Sequence, residues 1–574
     1  MISYNRAPKF SAFRGGPGSR NRLSRGSSVQ RRFDYVVVGA GAAGSVVAAR
    51  LAEAGSVSVL VLEAGPSDAS VFIRMPGAQA FPLMDKKRTW MFETGPEPAL
   101  NNRTIAHLRG RMLGGSSSLN GMVYVRGNPR DFDAWASAGL PTWSYAHCLP
   151  YFKKLETYDQ GANAFRGGEG PVHVSTMKAQ LPIFQAFLRA GQEAGQVFNS
   201  DYNGYRQEGI HHHQANVDHG IRDSAGRAYL RPALASGRVE VRTNARVTRV
   251  RFDDGMRAAG VDFVRNRQAE HVEVEREVIL CGGAYGSPHL LLLSGIGARE
   301  QLQKHGIPVV ADLPGVGRSL QDHPCVGVKY RSARAGVSPG FNMNVFKMAW
   351  TGAQWLFART GLGASNLWET GSFFKSHPDN DYANIQHEFV PLLGEYGQGA
   401  MVVEEGFYYS TCLMRPVSRG SLELKSADPQ GLPRIVHNYL QDAADQRALV
   451  AAVKFTDEII QQRGWDEIRG ENVSPPLRRM ADAEVLSWLR ANTSTQYHPC
   501  TTCRMGVDDL AVVDEQGRVR GVRNLRVIDA SIMPAITSGN LQSPTLMLAE
   551  KLSDQIKGVA LPPQAQRYAD QVRH

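Results

Sequence analysis

The recognisable pattern of the chain begins with two apolar runs that flank a helical segment. Residues 35–38 form a short β-branched run, which predicts a buried strand. Ala, Val and Leu then recur at helical spacing as far as Ala52, and a second apolar run covers residues 57–62. Strand, helix and strand in this order are typical of a βαβ unit, so we expect an α/β fold.

The turn between the first strand and the helix carries glycines at a fixed spacing. Gly39, Gly41 and Gly44 directly follow the strand, and Glu63 ends the second apolar run. In a dinucleotide-binding turn, the first glycine permits the turn and the second lets the backbone approach a pyrophosphate. The third lets helix and strand pack closely, and the carboxylate binds ribose hydroxyls. A dinucleotide site is therefore predicted, with a purely structural βαβ unit as the alternative.

Two more glycine-rich blocks follow. Residues 109–121 are richer in small side chains than an ordinary loop, which indicates either a second phosphate-binding turn or a flexible turn. Residues 283–297 place a Gly-rich bend after the buried apolar run 278–281, so a strand-to-helix turn again meets glycine.

Together, the three blocks resemble those of the glucose-methanol-choline family of flavin oxidoreductases. Further landmarks of the choline-dehydrogenase and aliphatic-alcohol-dehydrogenase branch follow in family order, so the resemblance runs from about residue 33 to residue 560. These landmarks lie at residues 320–323, 415–420, 497–499, 503–506, 527–534 and 538–541.

The resemblance implies two domains. The first is a Rossmann-like FAD-binding domain built from residues 33–150, 222–325 and 500–560. The second is a substrate-binding domain, with an antiparallel sheet covered by helices, built from residues 151–221 and 325–497. The expected class is α/β, or α+β when both domains are taken together. The remaining segments are a basic tail at residues 1–32 and a C-terminal tail at residues 561–574.

The resemblance also assigns two catalytic positions. His498 is the expected base, because alcohol oxidation requires removal of the hydroxyl proton and a neutral imidazole has a suitable pKa. Relatives carry an Asn or His as its partner, and counting without gaps from Asn540 or from Glu550 places Gln542 there. A glutamine amide can donate to an alkoxide and accept from a hydroxyl, but it cannot act as a base.

FAD is expected to be non-covalent, because Leu119 stands where some relatives have a histidine that is joined to the flavin. Near the substrate, Asn366, Trp368 and Glu369 are expected, with Glu369 balancing a quaternary ammonium and Trp368 adding a cation–π face. The expected cofactor-binding residues are Gly39, Gly41, Ala42, Ala43, Gly44, Glu63, Arg111, Gly115, Ser116, Asn120, Gly121, Met122, Val123, Val247, Asp529, Ala530 and Asn540.

No metal site is expected. His211, His212 and His213 are consecutive, so on an extended segment their side chains point to alternating faces. Cys500 and Cys503 form one CxxC without a second pair, which favours structural thiols over a redox pair.

Composition and charge exclude several classes of protein. The chain is 42% hydrophobic and 21% charged, as in ordinary soluble proteins, and no apolar run reaches the roughly 20 residues of a membrane span. The net charge is +11, but residues 1–32 hold eight basic side chains and no acidic one. The rest of the chain is nearly neutral, so no nucleic-acid partner is expected. The tail has the Arg- and Ser-rich composition of a transit peptide, but its glycines favour a disordered extension.

The expected function is FAD-dependent oxidation of a primary alcohol to an aldehyde, with electrons passed to a quinone or another carrier. The alternatives are an alcohol oxidase that uses oxygen, and an FAD-retaining lyase or decarboxylase of the same family. Six cysteines give no disulfide framework, which suits a reducing compartment. A cytoplasmic location is expected, with peripheral membrane association left open, or a mitochondrial one if residues 1–32 are a transit peptide.

Overall fold

In the computed structural model, the described residues are 32–339, 344–397 and 400–569. The expected basic tail lies outside these ranges except for Arg32, and so do the last five residues of the expected C-terminal tail. Two large sheets, each with seven strands, organise the described part of the chain.

The first sheet forms around the predicted strand–helix–strand unit. Its central strands are parallel, with Tyr35 opposite Val59 on one side and opposite Glu277 on the other. Antiparallel strands extend one edge, so the sheet is mixed. In spatial order its strands are Val239–Arg242, Val59–Leu62, Arg32–Val38, Gln268–Leu280, Ala258–Arg265 and Ala245–Phe252, and Leu525–Val527 also pairs with Gln268–Leu280.

Small apolar side chains explain how closely this unit packs. The helix Ala42–Ala52 is buried over most of its surface, and it packs against the helix Gln542–Lys557. Val36 and Val37 of the first strand are fully buried. Parallel strands covered on both faces need such continuous apolar runs, which is the pattern that the sequence shows.

The second sheet is antiparallel and has two different faces. Val326, Val328 and Phe389 point into a core that includes residues of the helices Pro182–Glu193 and Ala443–Ile460. The neighbouring positions on the same strands face a cavity, as the two-residue period of a strand requires. In spatial order the strands are Arg469–Asn472, Pro324–Ser332, Gly406–Leu413, Ile385–Val390, Thr370–Phe374 and Gly209–His212, and Ser494–Thr495 also pairs with Pro324–Ser332.

Further helices and small sheets complete the described structure. The other helices of nine or more residues are Pro129–Ser137, Tyr145–Leu155, Gly283–Leu293, Val345–Ala358 and Asp482–Asn492. Strand pairs occur at Thr89–Glu93 with Ala106–Gly110, Ser421–Glu423 with Arg434–Val436, and Leu393–Gly397 with Ala400–Glu404. A three-stranded sheet contains Glu156–Tyr158, Val172–Thr176 and Gln214–Ala215.

The expected α/β class is confirmed, with a largely parallel sheet at the predicted βαβ unit and an antiparallel sheet beside helices. The domain boundaries stay a prediction. In the expected C-terminal tail, the phenol of Tyr568 donates a 2.5 Å hydrogen bond to Asp133, and its ring contacts Tyr145 edge-on. This part of the tail is therefore packed on the folded chain.

Candidate active site

A cavity of about 680 Å³ is enclosed by the glycine-rich turns of the first sheet and the polar face of the second. Its wall includes Gly41 and Glu63 from the first sheet, Ser410 and Glu388 from the second, and His498. The two groups of residues that the sequence singled out, for cofactor and for catalysis, therefore border the same space.

At two of its three glycines, the first glycine turn has no room for a side chain. Gly39 has a φ of +100°, and a Cβ there would lie 2.6 Å from the carbonyl oxygen of Cys281. A Cβ on Gly44 would lie 1.9 Å from the carbonyl oxygen of Gly39. At Gly41 the nearest atom would be 3.9 Å away, so this residue leaves the start of the helix Ala42–Ala52 open to the cavity. Backbone N–H groups at a helix N-terminus bind phosphate.

Glu63 is fixed by the same turn. Its Oε2 accepts the N–H of Ala40 at 2.9 Å, and its Oε1 accepts the N–H of Gly65 at 2.8 Å. Burial raises the pKa of this carboxyl, and the two backbone donors oppose that effect. Each carboxylate oxygen can accept a second hydrogen bond, so Glu63 can receive ribose hydroxyls from the cavity side.

The second glycine block packs directly onto the first. Gly115 has a φ of +53°, and a Cβ there would lie 2.7 Å from the Cα of Gly41. Most of the residues that follow it, as far as Val123, line the cavity. Of the expected cofactor residues, those that line the cavity are Gly39, Gly41, Ala42, Ala43, Glu63, Gly115, Ser116, Asn120, Gly121, Met122, Val123, Val247, Asp529, Ala530 and Asn540.

Two expected cofactor residues are not part of this wall. Gly44 lies behind the turn, where it serves close packing, as its spacing predicts. The guanidinium of Arg111 lies 4.6 Å from the ring centroid of Trp90, and Trp90 itself lines the cavity. With the open helix N-terminus and Glu63, the remaining residues fit a dinucleotide such as FAD.

The hydrogen bonds of His498 determine where its proton lies. Its Nδ1 is 3.0 Å from Nδ1 of His323, whose Nε2 is 3.1 Å from the carbonyl oxygen of Met414. A carbonyl only accepts, so Nε2 of His323 must donate, and its Nδ1 is then the acceptor for the Nδ1–H of His498. This assignment leaves Nε2 of His498 with a lone pair.

Both imidazoles are held neutral. Desolvation, followed by the neighbouring His323, keeps the pKa of His498 well below its usual 6.5. Burial lowers the pKa of His323 to about 3. Neutral His498 can accept a proton at Nε2 without first losing one to solvent.

Asp322 and Arg109 hold the backbone of His498. Its N–H donates to Oδ1 of buried Asp322 at 2.6 Å, and Arg109 donates to the carbonyl oxygen of Tyr497 at 2.5 Å. Tyr497 has a φ of +63°, a conformation that side chains other than glycine rarely adopt. Burial raises the pKa of Asp322 to about 6. These contacts fix the direction in which the His498 ring points.

Asn540, and not Gln542, is the amide beside His498. Nδ2 of Asn540 lies 3.4 Å from Nε2 of His498 and donates to Oε1 of Glu388 at 2.9 Å. Its Oδ1 accepts from Gln386 at 3.1 Å. The gap-free count from the sequence therefore placed the partner amide two positions too far along the chain.

Gln542 lines the cavity but makes other contacts. Its Oε1 accepts from Asn120, and its Nε2 donates to Asn216 at 3.1 Å. Asn120 also accepts from the buried Arg222 at 3.0 Å. Gln542 thus ties the last helix to the second glycine block instead of contacting His498.

Of the three expected substrate residues, one lines the cavity and two do not. Trp368 lines the cavity, whereas Asn366 donates to the carbonyl oxygen of Gly121 at 2.9 Å and is absent from the wall. The two oxygens of Glu369 accept the N–H of Ala179 at 2.7 Å and the hydroxyl of Ser365 at 2.5 Å. Glu369 is therefore not placed to face a substrate cation in this cavity.

Glu388 is a buried carboxylate of the cavity wall that the sequence interpretation missed. It accepts from Asn540 and from Gln496, and burial raises the pKa of its carboxyl. No described Lys or Arg forms an ion pair with it. It lies in the strand Ile385–Val390, within a buried run that carries no motif, so the sequence offered no signal for it.

His323 and Arg109 were also missed, although both lie in quoted landmarks. Residues 320–323 and 109–121 were recognised as blocks, but their individual roles depend on contacts with residues far along the chain. The sequence signal was present for these two residues, and the missing information was the tertiary pairing.

The other histidine and cysteine clusters have hydrogen-bonded or apolar surroundings. Among the described residues, His107, Asp322 and His437 bring possible metal-ligand atoms within 4.8 Å of one another. Tyr285 bridges the two histidines at 2.9 and 2.8 Å, and Tyr439 links His107 to Asp322. The six cysteines, including those of the CxxC, are buried free thiols.

This fold is typical of a dinucleotide-dependent redox enzyme, and the cavity wall carries a buried histidine, His498. Comparison with known proteins agrees. Residues 33–325 and 416–549 match the N- and C-terminal parts of the GMC oxidoreductase family. The chain belongs to this family, and it is an FAD-dependent oxidoreductase that acts on CH–OH donors.

Similar proteins of known name cover almost the whole chain. The chain is 44% identical to an oxygen-dependent choline dehydrogenase from Pseudomonas syringae pv. tomato, over 92% of this chain and 94% of that protein. It is 45% identical to one from Yersinia pseudotuberculosis serotype IB, with the same shares covered.

Solved structures have the same fold. Pyridoxine 4-oxidase from Mesorbium loti matches with a TM-score of 0.82 and 28% identity, over 92% of this chain and 99% of that one. A formate oxidase variant from Aspergillus oryzae matches with a TM-score of 0.85 and 26% identity, over 93% of this chain and 99% of that one. In the described ranges, no helix is both long and apolar enough to cross a membrane.

Proposed function

We propose that the protein oxidises a primary alcohol to the aldehyde, with His498 as the base. Nε2 of His498 takes the hydroxyl proton while hydride leaves the same carbon. Bound FAD supplies the acceptor for that hydride. The observation that carries this proposal is the chain of contacts from His498 through His323 to the carbonyl oxygen of Met414, which assigns the Nε2 lone pair of His498 to the cavity side, next to Nδ2 of Asn540.

Asn540 is proposed as the donor to the same substrate oxygen. Its Nδ2 has two hydrogens, and one is directed to Glu388. The other points at Nε2 of His498, 3.4 Å away, and can shift to the substrate oxygen as negative charge develops there and Nε2 takes up the proton. Glu388 thereby orients the amide so that it presents its nitrogen, and not its oxygen, to the substrate.

Choline is the first alcohol to consider. Relatives of 44–45% identity are choline dehydrogenases. The buried carboxylate of Glu388 offers a negative charge to the quaternary ammonium, since burying an unpaired carboxylate is otherwise costly. Trp368 and Tyr408 line the same cavity and can contribute cation–π faces.

Two finer points belong to the proposal. FAD is held without a covalent bond, since the side chain at position 119 is a leucine that packs with Ile73 and Met112. Electrons leave to a quinone or another carrier, with oxygen as the rival acceptor. FAD-retaining lyase chemistry is the alternative from another reaction class. Oxidation of the substrate reduces the flavin, whereas a lyase reaction leaves the flavin oxidised after turnover.

Anaerobic mixing of the holoenzyme with choline, an n-alkanol and benzyl alcohol tests the proposal. At least one alcohol should bleach the absorbance of the oxidised flavin, and one aldehyde should form for each flavin that is reduced. In the Glu388→Gln variant, the rate of flavin reduction should fall more with choline than with the neutral alcohols. Choline alone carries a positive charge that Glu388 can balance. Turnover of substrate without any flavin bleaching would favour lyase chemistry and overturn the proposal.

A further inference from the structure

The helix Val345–Ala358 presents an apolar face to solvent. Phe346 is 88% exposed, Phe357 is 85% exposed and Trp350 is 70% exposed. Val345 and Leu356 extend the same face, and the two remaining positions on it are alanines, Ala349 and Ala353. A surface helix of a globular protein normally shows its polar residues to water, so this orientation is reversed.

The opposite face anchors the helix to the protein. Trp355 is 2% exposed, and its indole N–H donates to the carbonyl oxygen of Gly220 at 2.7 Å. At the N-terminus, Asn344 caps the helix by accepting the N–H of Lys347 at 2.9 Å. The apolar outer face therefore belongs to a held and capped helix.

A second apolar segment lies beside this helix. Phe72 and Phe81, each nearly half exposed, stack with ring centroids 4.9 Å apart, and Met84 is exposed close by in sequence. The backbone N–H of Gly77 donates to the carbonyl oxygen of Gly363 at 3.1 Å, which joins this segment to the turn after the helix. We call the whole area the apolar surface, and its members are Phe72, Phe81, Met84, Val345, Phe346, Trp350, Leu356 and Phe357.

Within the two segments that carry the apolar surface, basic side chains outnumber acidic ones. Residues 344–368 contain no Asp or Glu. Arg74, Lys86 and Lys87 are exposed on the second segment, and its one acid, Asp85, is paired with Arg88 at 2.5 Å. Large exposed apolar side chains beside basic ones are typical of protein surfaces that lie in the interface of an anionic membrane.

The apolar surface adjoins the active-site cavity. Gln79 and Leu83 lie between or next to its members in the sequence, and both line the cavity. The side chain of Gln79 donates to the carbonyl oxygen of Asn366 at 2.9 Å, next to the cavity residue Trp368. One short stretch of chain thus carries both exposed aromatic rings and a part of the cavity wall.

We propose that the apolar surface inserts into the headgroup region of an anionic lipid bilayer. The protein then lies on the membrane without crossing it, and the cavity wall at Gln79 and Leu83 faces the lipid. Molecules dissolved in the bilayer, including a lipophilic electron acceptor, reach the cavity without passing through water. A second copy of the chain or another protein would cover the apolar rings equally well, but neither explains the one-sided charge.

Vesicle sedimentation of the holoenzyme tests this surface. The protein should bind vesicles of phosphatidylcholine with phosphatidylglycerol, and more weakly vesicles of phosphatidylcholine alone. The triple variant Phe346→Ser, Trp350→Ser, Phe357→Ser should bind about 100-fold more weakly or worse, because three large apolar groups no longer leave water. The double variant Lys86→Glu, Lys87→Glu should bind the anionic vesicles about tenfold more weakly or worse, with no change in binding to the phosphatidylcholine vesicles.

A matched control removes exposed apolar side chains elsewhere. Val507, Leu510 and Val559 are each about half exposed or more, and their replacement by Ser should leave vesicle binding unchanged. Deletion of residues 1–31 should also preserve binding. All variants should keep their flavin and its reduction by alcohol in the absence of vesicles, because none of the changed residues lines the cavity.

Three outcomes would overturn the proposal. One is equal vesicle binding by the wild-type protein and the triple serine variant. Another is loss of binding on deletion of residues 1–31, which would assign the membrane contact to the basic tail. The third is a wild-type dimer that does not bind vesicles and that the triple variant converts to a monomer, since the apolar surface would then be an interface between copies.

Discussion

At the scale of single residues, the protonation and direction of His498 are set by its neighbours in the protein. Met414 fixes the proton of His323, and His323 in turn fixes the proton of His498. Asp322 and Arg109 hold the backbone on either side of the peptide bond before His498. A base with a defined tautomer and direction avoids reorganisation when the hydroxyl proton is transferred.

Asn540 and Gln542 should behave differently when they are shortened. Asn540→Ala should slow flavin reduction by about 10²- to 10³-fold, the effect of removing one donor to a developing oxyanion. Gln542→Ala should leave this rate nearly unchanged and reduce FAD retention, because its contacts hold the second glycine block. Anaerobic stopped-flow absorbance and the flavin-to-protein ratio measure the two effects. The reverse result would return the catalytic amide to Gln542.

The pH dependence of flavin reduction reports the protonation of His498. Because the pKa of His498 is held well below 6.5, its neutral form already predominates near neutral pH. The reduction rate constant should therefore stay flat from about pH 8 down to about pH 6 and fall only at lower pH. Stopped-flow traces at saturating alcohol across this range give the profile. A limb centred at or above 6.5 would show that burial does not lower the pKa of His498.

At the scale of secondary-structure elements, the contact between the two glycine blocks should be essential for binding FAD. Gly115→Ala would bring a Cβ to 2.7 Å from the Cα of Gly41 and should strongly reduce the flavin-to-protein ratio. Gly55→Ala is the matched control, because Gly55 also has a positive φ, +81°, but no atom within 4 Å of the added Cβ. That variant should keep its flavin and lose about 1–2 kcal/mol of stability from backbone strain.

The control also defines the contradicting result. If both alanine variants lost flavin equally, backbone strain and not the contact between blocks would explain the loss. If neither lost flavin, the helix N-terminus at Gly41 would tolerate displacement and would not be the phosphate site.

Elements with a continuous or periodic pattern were predictable from the sequence. The apolar runs at residues 35–38 and 57–62 became the parallel strands Arg32–Val38 and Val59–Leu62. Apolar and polar residues alternate at positions 421–425, which is typical of a half-exposed strand, and the structure has the strand Ser421–Glu423 there, with Leu422 buried. Among the described strands it pairs with Arg434–Val436 and not with the large antiparallel sheet. Periodicity therefore identifies a strand without identifying its partner.

The part of the site that the sequence could not supply depends on distant pairings. Glu388 meets Asn540 from 152 positions away, and His323 meets His498 from 175 positions away. A count along the chain locates a residue in a motif but does not tell which side chain of a turn points inward. For that reason Asn540 was expected to bind the cofactor and Gln542 to contact the substrate.

At the scale of the whole molecule, one consequence of the proposal is that the flavin should be separable from the chain. Leu119 cannot form a covalent bond to a flavin. The six cysteines are buried free thiols, and burial raises the pKa of Cys500 and Cys503. Acid precipitation of the holoenzyme should release the yellow cofactor into the supernatant. A washed pellet that stays yellow would show a covalent link.

The central claim is that Nε2 of His498 takes the substrate proton. The most direct measurement is the rate of anaerobic flavin reduction in His498→Ala, with the best alcohol of the wild-type protein at saturation. The account predicts a decrease of roughly 10²- to 10⁴-fold with FAD still bound, the usual effect of a positioned general base. Flavin reduction at the wild-type rate, in a variant that retains its FAD, would contradict the account.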